Sequence, residues 1–322
     1  MEKKERLAAI VGPTAVGKTA ISVLVADIIG AEIISVDSMQ VYQGMDIGTA
    51  KAREDEMITP SGEKIPHHLI NIINPNENFS VADFQRLART TISKINNQGK
   101  IPLLVGGTGL YFNSIIEMYN FTEMNINWEF RRYLKEKANK YGSEYLYHKL
   151  AQIDSDTAQK LHPKDQKRII RALEVYQQTG QKLSELRVSD NQVSAPYHMA
   201  IAGLIMEREA LYQRINDRVD QMIRDGLIKE VLTLLNKGYH LNLSPMQGLG
   251  YRQIGAYLMG FLSKEEAINL LKRDTRRYAK RQLTWFRRDK RITWFNVTNK
   301  EIFLLANEIA EYIRRTLGIF VE

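Results

Sequence analysis

The chain has 322 residues, 44% of them hydrophobic and 25% charged, an ordinary globular balance with room for about two domains or one core with a large insertion. No run reaches the length of a membrane span, and Met1 to Arg6 leads into an apolar strand with no secretory signal, so the expectation is a soluble, cytoplasmic protein without a membrane partner. The absence of cysteine excludes disulfides, thiolate-bound zinc and thiol nucleophiles together, while a net charge of +8 and a pI near 9.4 favour a polyanionic partner.

Leu7 to Val11 reads as a strand and Ala20 to Ile29 as a helix. Between them, Gly12-Pro13-Thr14-Ala15-Val16-Gly17-Lys18-Thr19 fits G-x-x-x-x-G-K-[ST] at every defined position, a phosphate-binding P-loop. Gly12 and Gly17 let backbone N–H groups turn around phosphate oxygens at a helix N-terminus, and Lys18 adds a mobile cation. The Thr19 hydroxyl is placed to ligate a magnesium ion carried by the phosphates. Ala31 to Ser38 is a second, β-branched strand, and the carboxyl end of such a strand in an open α/β sheet faces the same crevice. Asp37, at that end, reads as a magnesium ligand or general base, or else as a turn cap. Met39 to Lys51 reads as a loop lining the crevice. His67 to Ile72 is a third strand whose paired histidines point to opposite faces and read as structural. Ser80, with Asp83 three residues on, caps a helix. Ile101 to Val105 is the most apolar strand, closed by Gly106-Gly107-Thr108-Gly109, where Thr108 offers a hydroxyl; Leu110 to Tyr119 continues as a helix.

From 120 to 195 strand patterns vanish and helical spacing dominates, marking a helical insertion between a first core segment, 1–119, and a second, 196–322. Within it Lys167, Arg168 and Arg171 interleave with Ile169 and Ile170, so one helix face is basic. Tyr197 to Met206 returns as a strand, Glu207-Arg208-Glu209 opens a long helix, and Gly248-Leu249-Gly250-Tyr251-Arg252-Gln253 is a glycine-punctuated turn before another. Half of residues 272–291 are Lys or Arg, against only Asp274 and Asp289. Arg273, Arg276, Arg277, Lys280 and Arg281 share a helical stripe; unpaired cations so close together repel unless a polyanion is near, so the stripe reads as a nucleic-acid backbone site, with Trp285 as core. A last strand, Ile292 to Val297, and a terminal helix follow. The expected fold class is α/β: a P-loop NTPase-like core with a parallel sheet flanked by helices, plus a helical insertion domain.

At Gly12 to Thr19, Ile34 to Tyr42, Gly44 to Lys51, Val105 to Tyr111, Arg171 to Val175, Gly250 to Gln253 and Ala279 to Trp285 the chain resembles the tRNA dimethylallyltransferase family, in its compact bacterial form. The resemblance implies transfer of a dimethylallyl group from dimethylallyl diphosphate to N6 of adenosine 37 beside the tRNA anticodon. It implies that residues 12–19 hold the donor diphosphate with Mg2+ at Thr19, helped by Arg208, that Asp37 is the base, and that Thr108 keeps adenine and Asp37 in register. A stacked base cannot reach such a pocket, so adenosine 37 is expected to flip out. The anticodon stem-loop would then meet Asp37, Ser38, Met39, Gln40, Thr108, Lys167, Arg168, Ile169, Ile170, Arg171, Gly248, Gly250, Tyr251 and Arg252. No protein partner is implied, and a monomer is expected. Two rivals stand beside this reading: a P-loop small-metabolite kinase using ATP, with Arg131, Arg132 or Arg168 as a lid, and a non-catalytic RNA-binding protein.

Overall fold

Strand β1 (Glu5–Val11) is apolar at consecutive positions and buried on both faces, as a central parallel strand must be. It leads through the glycine loop into α1 (Lys18–Ile29), and then come β2 (Ala31–Val36), β3 (His67–His68), α2 (Val81–Asn97), β4 (Ile101–Gly106) and α3 (Gly109–Ile116). After the insertion the chain forms β5 (Tyr197–Ile205), α8 (Arg208–Arg224), α9 (Leu227–Asn236), α10 (Tyr251–Leu258), α11 (Lys264–Phe286), β6 (Thr293–Asn296) and α12 (Ile302–Leu317). The computed structural model describes residues 4–117, 127–185 and 196–319; Met1 to Lys3, the last two residues of the helix expected to reach Tyr119, and the expected boundaries at 119/120 and 195/196 involve residues outside these. By contacts the chain divides into two compact units, Met1–Ile115 with Tyr197–Glu322, and Ile116–Pro196.

In the first unit all six strands run parallel in the order β3-β2-β4-β1-β5-β6. The crossover from β1 to β2 skips the place that β4 fills, so the loops after β1, β2 and β4 gather at one end of the sheet, where such folds bind ligands. Ile21, Val25, Ile309 and Ile313 of α1 and α12 bury one sheet face against Ala8, Ile10, Leu103 and Ala202. On α2, Ser80 and Asp83 form the reciprocal capping box, and Phe84 stacks on Tyr111 with ring centroids 4.2 Å apart. The third strand is shorter than expected, because Leu69 and Asn71 take positive φ of 60° and 53° and end it. His68 meets Glu32 at 2.8 Å and His67 its own chain at the Ile65 carbonyl, also at 2.8 Å. A second cluster, with Val41, Met45, Val219, Leu234 and Ile254 around Tyr251, packs the 39–47 loop onto the C-terminal helices.

The second unit holds α4 (Trp128–Tyr141), α5 (Ser143–Ile153), α6 (Ser155–Gln159) and α7 (Gln166–Thr179) around Leu134, Leu146, Leu150, Ile169 and Leu173. Glu174, fully buried, ties α7 to α4: its carboxylate accepts from Arg131 at 2.7 Å, from Arg171 at 2.8 Å and from the Asn127 N–H at 3.1 Å. Burial alone would raise the Glu174 carboxyl; the bonds from Arg131 and Arg171 outweigh it and hold it below the ordinary glutamate range. A depressed carboxyl contributes stability above its unfolded pKa and loses it as pH falls through the folded one. Glu174→Gln is therefore expected to cost about 3 kcal/mol at neutral pH, by leaving two arginines without their anion. The difference from the native chain should shrink as pH drops below 4.5, read by denaturant melts followed by circular dichroism.

Candidate active site

Gly17 caps α1 at φ 104°, a left-handed turn that only glycine adopts without strain, and no side chain caps the helix or puts an acid in its first turn. The first amides of α1 are thus left to an anion. Gly12 lies so close to β5 that a Cβ there would stand 2.7 Å from the Leu204 carbonyl oxygen. Lys18 folds back over the loop, donating to the carbonyls of Gly12 at 3.0 Å and Pro13 at 2.8 Å. Burial, reinforced by the Arg218 charge and opposed by Asp37, pushes the Lys18 ammonium down to about 7.

Asp37 follows β2 directly, and its carboxylate caps the turn: Oδ1 accepts the Met39 N–H at 2.8 Å, and the Gln40 N–H also meets the carboxylate. Burial raises its carboxyl above the ordinary aspartate range, against the pull of the turn amides, Lys18 and Arg218. Thr108 stands beside it: its Oγ1 accepts the Ser38 N–H at 3.2 Å and its own N–H meets the Val36 carbonyl at 3.2 Å. Gln40 is held by the fold at both ends of its amide, accepting from Ser35 at 2.8 Å and donating to the carbonyls of Ala50 at 3.3 Å and Thr49 at 3.4 Å. The 45–50 loop is itself pinned, since the Glu230 carboxylate accepts from the N–H groups of Asp46, Ile47 and Gly48 and from the Tyr251 hydroxyl. Met39 packs on Gly248, leaving no room there for a side chain.

Several expected site residues lie elsewhere. Arg208, in the first turn of α8, is exposed with its guanidinium 5.2 Å from the Tyr212 ring centroid. The arginine that reaches the loop is Arg218, bonded to Thr14 Oγ1 at 3.3 Å, with the Arg214 guanidinium near Gly17. Arg214 and Arg218 are four residues apart on one helix face, whereas Arg208 lies about 120° around from Arg214 at roughly 100° per residue. Tyr251 is fully buried, so its ring is structural rather than presented to RNA. Ile169 and Ile170 are core residues of the second unit; Lys167 and Arg168 are exposed on the same helix, and Arg171 is engaged with Glu174. The cationic stripe is less free than its composition implies: Arg252, Arg273 and Arg277 all lie within 4.0 Å of Asp274, Lys272 pairs with Asp220 at 2.7 Å, and Arg276 bonds Asn216. Lys280 and Arg281 on α11, the latter over the Tyr278 ring, and Arg287 and Arg288 just beyond its end are exposed.

The inward side of α11 carries residues whose partners the sequence does not reveal. Tyr278 meets Thr108 and Gln282, and burial, with the nearby Asp37 charge, pushes its hydroxyl up to about 12. Trp285 closes over Gly109 and reaches Asn113 at 3.4 Å, and Phe286 packs edge-on against Phe112 at 5.8 Å. Spacing alone signals that Tyr278, Gln282 and Trp285 share a side of the helix, but not what they meet.

A family profile described as IPP transferase matches residues 40–289. The tRNA dimethylallyltransferase of Moorella thermoacetica is 52% identical over 322 residues, covering 100% of this chain and 99% of that protein; that of Alkaliphilus oremlandii is 52% identical over 296 residues, covering 92% and 93%. Among solved structures, the tRNA isopentenylpyrophosphate transferase of Bacillus halodurans superposes with a TM-score of 0.71 at 46% identity, covering 98% of this chain and 99% of that one. A eukaryotic dimethylallyltransferase acting on tRNA gives a TM-score of 0.78 at 29% identity, covering 92% and 74%.

If a diphosphate binds on this loop, its charge favours the protonated form of Lys18 that burial disfavours. Its affinity contribution is full below pH 7 and is lost as pH rises toward the bound-state value. Dimethylallyl diphosphate binding between pH 7 and 8.5 should therefore take up protons, measured by calorimetry in buffers of different ionisation heat, and Lys18→Met should abolish the uptake.

Proposed function

The chain belongs to the IPP transferase family of tRNA dimethylallyltransferases, and on that premise we propose how its residues move a dimethylallyl group from dimethylallyl diphosphate to N6 of adenosine 37. Membership displaces both the small-metabolite kinase and the non-catalytic RNA-binding protein. The observation that supports the reading is that Asp37, at the end of β2, interacts with the charges of Lys18 and Arg218, while Thr108, at the end of β4, is tied to the Asp37 turn through the Ser38 N–H.

The adenine N6 lone pair is delocalised into the ring, so the amine attacks well only as it loses a proton. Asp37 accepts that proton while the N6–C1 bond forms and the C1–O bond to diphosphate breaks. Its raised carboxyl makes it a stronger base than an exposed aspartate. The loop amides, Lys18 and Arg218 receive the charge that gathers on the departing diphosphate, with Arg214 beside them and Arg218 in the role expected of Arg208. Thr108, tied to Ser38, orients the base against Asp37.

Thr19 offers a hard hydroxyl oxygen at the start of α1, suited to Mg2+, which takes few protein ligands and keeps phosphate oxygens and water. The described residues hold no cluster of three acidic or histidine side chains, which fits an ion carried in on the diphosphate. When bound, the ion offsets diphosphate charge. The exposed cations of α11 and, in the second unit, Lys167 and Arg168 are the proposed contacts to the anticodon arm backbone.

Incubation with magnesium, dimethylallyl diphosphate and unmodified tRNA, followed by digestion and mass spectrometry, should yield isopentenyladenosine that vanishes when adenosine 37 is replaced by guanosine. Asp37→Asn should lower turnover by about 10²- to 10⁴-fold with tRNA affinity kept; parallel loss of binding would make Asp37 structural. The acid limb of kcat/KM should fall at a pH above the ordinary aspartate value of 3.8.

A further inference from the structure

Gln282 lies on the inward side of α11, 5% exposed. Both ends of its amide are engaged: Oε1 accepts the Thr14 N–H at 2.9 Å and Nε2 donates to the Gly107 carbonyl at 2.9 Å. Thr14 belongs to the loop after β1 and Gly107 to the turn after β4. The ladder between these two strands ends at Val11↔Gly106, so beyond it the loops need another tie. Gly107 also approaches the Gln282 amide too closely to carry a Cβ. The linkage demands an acceptor at one end and a donor at the other: a carboxamide supplies both, a carboxylate only the acceptor, a thioether neither in strength.

We infer that Gln282 is a positioning residue for the transfer, a cross-tie that sets the distance between the loop holding the donor and the turn holding the acceptor. The inference rests on the function proposed above. Each substrate is bound by its own segment, so slackening the tie leaves either affinity nearly intact. The reacting atoms, however, must come within about 3–3.5 Å, and a misplacement of about 1 Å costs on the order of 10²-fold. The loss should therefore show in the transfer step rather than in binding. Every partner of Gln282 belongs to the protein: one N–H goes to the Gly107 carbonyl, the amide also meets Tyr278, and its oxygen occupies the Thr14 N–H.

The test compares the full chain with Gln282→Met and Gln282→Glu in single-turnover transfer. Affinities for dimethylallyl diphosphate and tRNA, and melting temperature, are measured alongside. Gln282→Met should slow transfer by about 30- to 100-fold, with both affinities within about threefold. Gln282→Glu keeps the Thr14 bond but sets a carboxylate against the Gly107 carbonyl; its rate relative to wild type should recover as pH falls and the carboxyl regains a proton to donate. A Gln282→Met rate within about twofold of wild type, or a loss carried by either affinity, overturns the inference. If that variant does not fold, a Gln282→Glu ratio indifferent to pH overturns it. No isopentenyladenosine from the wild-type chain would instead defeat the functional reading itself.

Discussion

Two cations and one carboxylate share a poorly hydrated space at the end of the sheet, and the rest of the first unit exists to keep them there. Burial disfavours the charged forms of both Lys18 and Arg218, the Arg218 charge adds to this at Lys18, and Asp37, with Glu56 at Arg218, offsets part of it. That balance suits the diphosphate of the donor proposed above, which would bring negative charge to buried cations. It also holds Asp37 in check, because cations that favour its ionised form oppose the burial that raises it. In the mechanism proposed above, a diphosphate that neutralised these cations would weaken that restraint and make the Asp37 carboxylate more basic.

How much of this was legible in the sequence depended on whether the partners are local. The loop, its flanking strand and helix, the Ser80–Asp83 cap, and the aspartate at the end of β2 all rest on neighbours within a few residues, and pattern alone placed them. Arg218 was not singled out, since every exposed-looking arginine of α8 reads alike until the helix is docked; Arg208 had the role only through the family resemblance. Gln282 lies in a stretch that carries the family resemblance, but its tie was invisible because its partners lie 268 and 175 residues away. Charge counting overstated the freedom of the stripe for a similar reason: one acid, Asp274, serves three arginines, two of them from its own helix.

Helix α11 thus has two characters along one length. Its outward cations suit a phosphate backbone, while Tyr278, Gln282 and Trp285 inside bear on Thr108, Gly107 and Gly109. One helix holds the turn after β4 from its inner side while its outer side stays open to solvent. Glu230 plays a comparable part for the 45–50 loop, gathering three backbone N–H groups that would otherwise need water.

The sheet's connectivity also matters for how the chain is made. β1 pairs along its whole length with β5, yet Tyr197, the partner of Glu5, is synthesised only after the entire second unit. During translation β1 has β4 on one side and an open hydrogen-bonding edge on the other, the kind of edge that recruits stray strands. The second unit, with its own apolar centre and its buried Glu174, has the composition to fold while that edge waits. Closure of the sheet is then a late, long-range event, slow by nature and exposed to aggregation until β5 emerges from the ribosome.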